Sequence, residues 1–332
     1  MVAGVLVRVS AIMRRAEAFR GAPKATQIGL RCATIAIFGV VAASSAQAAS
    51  PVPQPPVDLG QTSFLDGEAG PGGLFETIGN GYVASQFADA SGRRVAGTNR
   101  QSIGSVIFHF AYVSDLPLAG GVLGAETLIP FSVLHLDVPG VPAATEGGLG
   151  DVTVAPFIQW TKLPVWQRPL SIRLAIQATA PTGQYSPNDA INAGADAWQV
   201  SPYLAFTWRI SNRWEISGRS IYDWSSRSNR PPVSLDVTNS QAGGQFAQNL
   251  SVSVAITDNW RIGVAGYGLW QLDDTRVDGQ AVSNSRQQVI GIGPGLLWSD
   301  GHATVIANIY DEVDVRNRPQ GTSAVLRLLL PF

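Results

Sequence analysis

Two neighbouring stretches of the chain, 198–210 and 213–224, alternate apolar with polar residues at a period of two. This is the period of a β-strand with two different faces, and the short polar connection between the stretches predicts a hairpin. Each strand would be about twice the usual length of ~5–6 residues. A tilted strand of about 10 residues crosses a bilayer, and aromatic girdles flank the apolar band of membrane barrels. The apolar face consists of Trp198, Val200, Pro202, Leu204, Phe206, Trp208 and Ile210, then Trp214, Ile216, Gly218, Tyr222 and Trp224. These features predict a hairpin of a transmembrane β-barrel.

The same alternation recurs along the rest of the chain. The predicted strands are 74–88, 102–113, 121–136, 150–161, 170–180, 198–210, 213–224, 245–257, 260–271, 287–298, 302–311 and 322–332. Connections after even-numbered strands are short, whereas those after odd-numbered strands are longer and polar, the last of them being 312–321. Short turns on one rim and long loops on the other are typical of bacterial outer-membrane barrels. The sequence therefore predicts an all-β fold, a transmembrane antiparallel up-and-down β-barrel of about 12 strands over residues 74–332.

The first part of the chain has the features of an export signal. Residues 1–48 combine a basic leader, the apolar run 33–43 and the small-residue site Ala46-Gln47-Ala48. Such a segment is a secretory signal peptide, and we predict cleavage after Ala48. Residues 49–73 are rich in Pro and Gly, which predicts an extended periplasmic lead-in and not a domain.

Charge and cysteine content exclude several functions. Residues 1–48 hold six of the 23 basic and one of the 24 acidic residues, which leaves a mature chain with a net charge of −6. A mildly acidic chain lacks the basic surface that binds nucleic acid. The one cysteine, Cys32, lies in the signal peptide, so disulfides, cysteine-based zinc sites and cysteine nucleophiles are excluded from the mature chain.

Polar residues on the non-lipid faces of the strands are the candidates that line the lumen. They are Arg173, Gln177, Tyr203, Arg209, Arg213, Glu215, Arg219, Asp223, Arg261, Tyr267 and Arg327. Six arginines face two carboxylates in this set, which suggests a narrow, water-filled passage that favours anions. The alternative is a structural network in which the arginines pair with the carboxylates and fill the interior.

Other chemistries have weaker support. The histidines His109, His135 and His302 lie on different predicted segments without metal-ligand spacing, and no Ser and His stand out as a catalytic pair. We therefore predict no metal, no cofactor and no enzyme activity. The acidic loop residues Asp273, Asp274 and Asp278, like 311–314, could bridge lipopolysaccharide through divalent cations, although a solvated acidic loop is the simpler interpretation.

The last predicted strand ends the chain on Phe332, with Ala324, Leu326, Leu328 and Leu330 on the same face. A final strand that ends on an aromatic residue resembles the assembly signal of outer-membrane barrels. The barrel-assembly machinery is therefore an expected partner, and an ordinary closing strand is the alternative.

Four Gly- and Pro-rich motifs lie at strand ends: Gly70-Pro71-Gly72-Gly73, Gly148-Leu149-Gly150-Asp151-Val152, Ala180-Pro181-Thr182-Gly183-Gln184-Tyr185 and, near Trp298, Gly293-Pro294-Gly295. As a set, over about residues 70–332, they resemble the outer-membrane transporter family named after the MetA-pathway of phenol degradation. The resemblance implies an outer-membrane β-barrel associated with the catabolism of aromatic or other small organic compounds. It assigns no substrate-binding residue.

These observations predict a channel in the outer membrane of a Gram-negative bacterium. It would allow passive passage of small organic solutes, aromatic or carboxylated compounds among them, with outer-membrane lipid and lipopolysaccharide around it. Two alternatives stay open at this point: a non-conducting structural barrel and, less favoured, a hydrolase at the barrel rim.

Overall fold

The computed structural model describes residues 52, 54–97, 99–138 and 143–332. The predicted signal peptide, 1–48, and its cleavage site after Ala48 lie outside the described residues. Across the part of the chain that is described, no helix is long and apolar enough to cross a membrane.

Twelve long strands form the body of the molecule. They are β1 (Gly72–Phe87), β2 (Arg100–Leu118), β3 (Gly121–Asp137), β5 (Val152–Val165), β6 (Arg168–Ala180), β7 (Gln199–Trp208), β8 (Trp214–Ser225), β10 (Gln245–Ala255), β11 (Trp260–Gln271), β14 (Gln288–Ser299), β15 (Thr304–Arg316) and β16 (Pro319–Pro331). Four short strands accompany them: β4 (Ala144–Leu149), β9 (Ser240–Gln241), β12 (Arg276–Val277) and β13 (Gln280–Ala281). A single-turn 3₁₀ helix, Val233–Leu235, lies in a loop.

The sheet closes on itself. Each long strand pairs antiparallel with its neighbours, and β1 pairs with both β2 and β16, for example through Leu74 opposite Pro331. A closed sheet satisfies the backbone hydrogen bonds of every strand internally, which a bilayer requires. The predicted antiparallel barrel of 12 strands is confirmed.

The two faces of the wall are inverted relative to a soluble protein. On β7, Val200 and Leu204 are exposed on the outside, whereas Ser201 and Tyr203 are buried inside. Exposed tryptophans lie at both ends of the outer face, with Trp198 and Trp224 beside the loops and Trp214 and Trp260 beside the turns. An apolar exterior flanked by aromatic residues and a polar interior are the features of an outer-membrane barrel.

The two rims differ in their connections. Short turns join strands at the end that we call the turn end, and one of them is the two-residue turn Ala119–Gly120, with φ of 50° and 80°. Positive φ at both positions matches the right-handed twist of a hairpin. The connections 181–198, 226–244 and 272–287 lie at the opposite end, the loop end.

The structure corrects one of the predicted long loops. β15 continues to Arg316 and β16 begins at Pro319. The predicted loop 312–321 is therefore a tight turn at Asn317–Arg318. The strand pattern there was hidden because Asp311, Glu312 and Asp314 suggested a solvated loop. Glu312 instead points into the barrel, where Tyr82 and Tyr267 donate hydrogen bonds to its carboxylate at 2.7 and 3.0 Å.

One strand of the wall is interrupted, between β4 and β5. β3 pairs with β5 over its first half and with β4 over its second, so the two are one strand interrupted at Gly150-Asp151. The Asp151 carboxylate accepts hydrogen bonds from the backbone N–H groups of Gly183 and Ala195, at 2.7 and 2.8 Å. The break therefore anchors the loop 181–198.

A small sheet links two other loops at the loop end, where β12 pairs with both β9 and β13. Asp278, between β12 and β13, accepts hydrogen bonds from the Thr238 hydroxyl and from the N–H groups of Thr238 and Asn239. These donors hold the pKa of Asp278 below its ordinary range. The loops 226–244 and 272–287 therefore form one linked cap.

Candidate functional site

Residues 54–71, which we call the inner segment, run through the barrel from the loop end to the turn end. Near the loop end, Gln54 bonds to Gln245 and Thr275. Midway, the Gly60 N–H donates to Asn249 Oδ1 at 3.0 Å. Near the turn end, the Gly67 N–H donates to Thr207 Oγ1 at 3.0 Å, and β1 then begins at Gly72.

The inner segment is packed against the wall. Phe64 is only 1% exposed, and a Cβ on Gly67 would lie 2.4 Å from the backbone carbon of Phe206. Residues 54–71 therefore lie within the barrel, which for these residues corrects the prediction of an extended periplasmic lead-in at 49–73. The segment has no strand periodicity. Side chains of the wall bond to some of its backbone groups, as Asn249 and Tyr310 do to the N–H and the carbonyl of Gly60, and a sequence pattern does not reveal such contacts.

Carboxylates of the inner segment pair with arginines of the wall. Asp66 makes a two-pronged pair with Arg219, at 2.7 and 2.8 Å, and Asp58 lies 3.8 Å from the same guanidinium. Glu68 pairs with Arg209 at 2.8 Å near the turn end. The segment is therefore held by charge as well as by packing.

A belt of charged side chains crosses the middle of the wall. We define this charged belt as Glu76, His109, Glu126, Arg173, Arg219 and Arg327, all of which are buried. Glu76 lies 2.6 Å from Arg327 and 2.7 Å from His109, and the other ring nitrogen of His109 lies 3.3 Å from Glu126. Arg173 lies 3.7 Å from Glu126. Each positive group of the belt therefore has a carboxylate neighbour.

One cavity of about 300 Å³ runs beside the inner segment. At the loop end it forms a polar chamber, the loop-end chamber, lined by Pro56, Asp58, Asp151, Thr153, Gln177, Thr179, Gln199, Ser201 and Asp223. The charged belt lines its middle, and Leu74, Ile306 and Leu329 line it near the turn end. The volume is at the lower limit of small-molecule sites.

The structure places most of the predicted lumen residues inside the barrel. Seven of them are buried there: Arg173, Tyr203, Glu215, Arg219, Asp223, Tyr267 and Arg327. Of these, Arg173, Arg219, Asp223 and Arg327 line the cavity, and so does Gln177.

The remaining predicted arginines lie at the turn end without forming a ring around a passage. Arg209 pairs with Glu68, Arg213 is exposed in a turn and donates to the Ala255 carbonyl, and Arg261 donates to Ser253 and to the Arg213 carbonyl. This arrangement favours a paired network over a set of free positive charges. The carboxylates that pair with the arginines are not the expected Glu215 and Asp223. They are Glu76, Glu126 and the carboxylates of the inner segment.

Sequence reasoning missed Glu76, Glu126 and the role of His109. Glycine and proline interrupt the alternation in β2 and β3, at Gly104, Gly124 and Pro130. The signal was nevertheless present, because His109 stands between Phe108 and Phe110, and a polar residue between two large apolar ones on a strand points to the other face. Among the described residues, no group of His, Cys, Asp and Glu side chains is arranged to hold a metal ion.

Comparison with solved structures shows the same fold in other outer-membrane proteins. An outer-membrane channel from Pseudomonas putida F1 superposes with a TM-score of 0.72 at 19% identity, over 83% of this chain and all of that one. The transport unit of the autotransporter AIDA-I from Escherichia coli gives a TM-score of 0.50 at 9% identity, over 83% of this chain and 93% of that one. No curated protein matches this sequence. A family model described as "Putative MetA-pathway of phenol degradation" matches residues 84–328, the greater part of the barrel, and the chain belongs to this family.

Proposed function

We propose that this protein is a passive channel for small organic solutes in the outer membrane of a Gram-negative bacterium. The observation that carries the proposal is the cavity beside the inner segment, which is lined by residues from both ends of the barrel. A barrel of this size lies between eight-stranded barrels, which side chains fill, and porins of about 16–18 strands, which leave an open channel. In this barrel, the inner segment occupies much of the interior space that the side chains of the wall leave unfilled.

The family and its solved relative support the same class of function. The Pseudomonas putida protein is an outer-membrane channel, and the family takes its name from phenol degradation. A cavity with a polar chamber and an apolar turn end suits small molecules that have both a polar group and an apolar body, aromatic compounds among them. The loops at the loop end would face the outside of the cell, as in other barrels of this kind.

The inner segment is the element that limits the passage. Replacing residues 54–69 with a Gly/Ser linker of equal length removes its carboxylates and Phe64 but keeps the chain connected. Single-channel recording in planar bilayers should show a small conductance for the wild type and one several-fold larger for the replacement variant. Absence of conductance in both proteins would indicate a non-conducting structural barrel.

Two further predictions from the sequence concern enzyme activity and assembly, and each needs its own experiment. The chain is expected not to be an enzyme, and a lipid- or peptide-hydrolysis assay on the purified protein would expose a hydrolase. Recognition by the barrel-assembly machinery through the C-terminal strand is also a prediction. In the folded barrel, Phe332 exchanges two backbone hydrogen bonds with Gly73 while its side chain is 81% exposed.

A further inference from the structure

Acidic groups outnumber basic groups around the cavity. Seven carboxylates and three arginines line it, together with His109. A protonated His109 and Arg209, which pairs with Glu68, would raise the number of positive groups to five, so the seven carboxylates would still be in excess. Negative charge in a narrow, partly desolvated passage raises the local concentration of cations and excludes anions.

Three of these carboxylates, Asp58, Asp151 and Asp223, belong to the loop-end chamber. Arg219 lines the adjoining part of the cavity, 3.8 Å from Asp58. Asp151 is satisfied by two backbone N–H groups, and Asp58 accepts from Thr62 and the Gln61 N–H and lies near Arg219. Asp223 has fewer partners than either of them.

Asp223 is buried, 8% exposed, and only one of its two oxygens is used. The Ser201 hydroxyl donates to Oδ1, whereas Oδ2 has no hydrogen-bond partner among the described residues. Leaving a buried acceptor unpaired is costly, and donors to charged acceptors form the stronger class of hydrogen bond. A cavity-lining carboxylate with a free oxygen is suited to a ligand that brings a donor.

We propose that the loop-end chamber binds small organic solutes through a hydrogen-bond donor that Asp223 accepts, with protonated amines preferred over neutral hydroxyls and carboxylates excluded. The proposal deepens the proposed channel function, because it names the class of solute that the channel takes. The hydroxyl and amide groups of Ser201, Gln177 and Gln199 provide further polar contacts around the same point. The apolar body of the solute would then extend along Ile221 and the side chains beyond it.

The test uses three probes that share a ring and differ in one group: benzylamine, benzyl alcohol and benzoate. Binding to the detergent-solubilised full-length protein at pH 7 is measured by isothermal titration calorimetry, which does not depend on conduction. We expect the wild type to bind benzylamine most tightly and benzoate most weakly. Asp223→Asn, which keeps the size of the side chain, should weaken benzylamine binding about tenfold or more and leave benzoate binding no weaker.

Asp311→Asn is the matched control, because it removes an equal charge from the exposed outer face of β15, where Asp311 accepts a bond from Thr322. It should leave the binding of all three probes unchanged. Equal effects of the two substitutions, or wild-type binding of benzoate as tight as that of benzylamine, would overturn the proposal. The order in which the wild type binds the three probes tests the proposal even if Asp223→Asn does not fold. If the wild type binds benzylamine but shows no conductance, only the proposed channel function is contradicted.

Discussion

At the scale of single residues, the face on which a side chain lies decides its chemistry. Along β10, Asn249, Ser251 and Ser253 are buried inside, whereas Leu250 and Val252 are exposed outside. A shift of one residue along a strand therefore changes the surroundings from protein and polar groups to lipid. A charge has opposite consequences on the two faces.

Val252→Arg tests this difference. Val252 lies on the outer face of β10, so a guanidinium there should destabilise the barrel by about 2–4 kcal/mol at the bilayer midplane and less toward the interfaces. Gln177→Arg places the same group in the loop-end chamber, which is rich in carboxylates, and should cost much less. Urea unfolding of the protein in lipid vesicles measures both. Equal losses would show that the two faces are assigned incorrectly.

At the scale of elements, the inner segment is held by pairs of unequal strength. The Asp66–Arg219 pair is buried, with side chains 3% and 10% exposed, and the guanidinium also stacks over the Tyr203 ring at 4.3 Å. The Glu68–Arg209 pair is more open, with side chains 24% and 38% exposed. Removing one partner of a buried pair costs about 3–5 kcal/mol, whereas an exposed pair contributes about 0–1 kcal/mol.

We therefore expect Asp66→Asn to release the inner segment and Glu68→Gln to leave it nearly unchanged. The remaining carboxylate near Arg219, Asp58, lies at 3.8 Å and would compensate only in part. Hydrogen exchange at the Gly60 and Gly67 amides, which bond to wall side chains, reports the attachment of the segment. Similar exchange rates in the two variants would mean that packing of Phe64, and not charge, holds the segment in place.

At the scale of the whole molecule, the two rims predict opposite accessibility. The mature chain is expected to lack cysteine, so single substitutions such as Asn188→Cys and Asn212→Cys can be labelled specifically. Asn188 lies in an exposed loop at the loop end and Asn212 in an exposed turn at the turn end. A membrane-impermeant maleimide should label the first on intact cells and the second only after the outer membrane is opened. The reverse result would invert the proposed orientation.

Much of the architecture could be predicted because lipid imposes a period of two. β11 was predicted at its observed bounds, and β7, β8 and β14 within two residues at each end. β2 was predicted too short, because Ser114, Asp115 and Pro117 suggested a turn where the strand continues to Leu118. The local alternation of residues predicts the strands of a barrel wall. It predicts their ends less accurately where polar residues extend a strand beyond the membrane.

The interior was harder to predict, since it depends on partners that are distant in sequence. The period of two indicates that Arg219 and Arg327 face inward, but not that Asp66 and Glu76 meet them. The inner segment has no period at all, and its prolines and glycines resemble those of a linker. The identity of what fills a barrel is therefore a question of three-dimensional complementarity, which pattern alone does not answer.

The path of the inner segment also constrains how the molecule can assemble. The barrel closes where β1 meets β16, the first and last strands, and the inner segment continues directly from β1 into the enclosed space. A ring that closes around its own leading end must either form with that end already inside or admit it afterwards through an opening. The seam between β1 and β16 is thus the joint at which the wall closes, and the inner segment departs from one side of it. We therefore expect the closing of this seam and the placement of the inner segment to be linked steps in the assembly of the barrel.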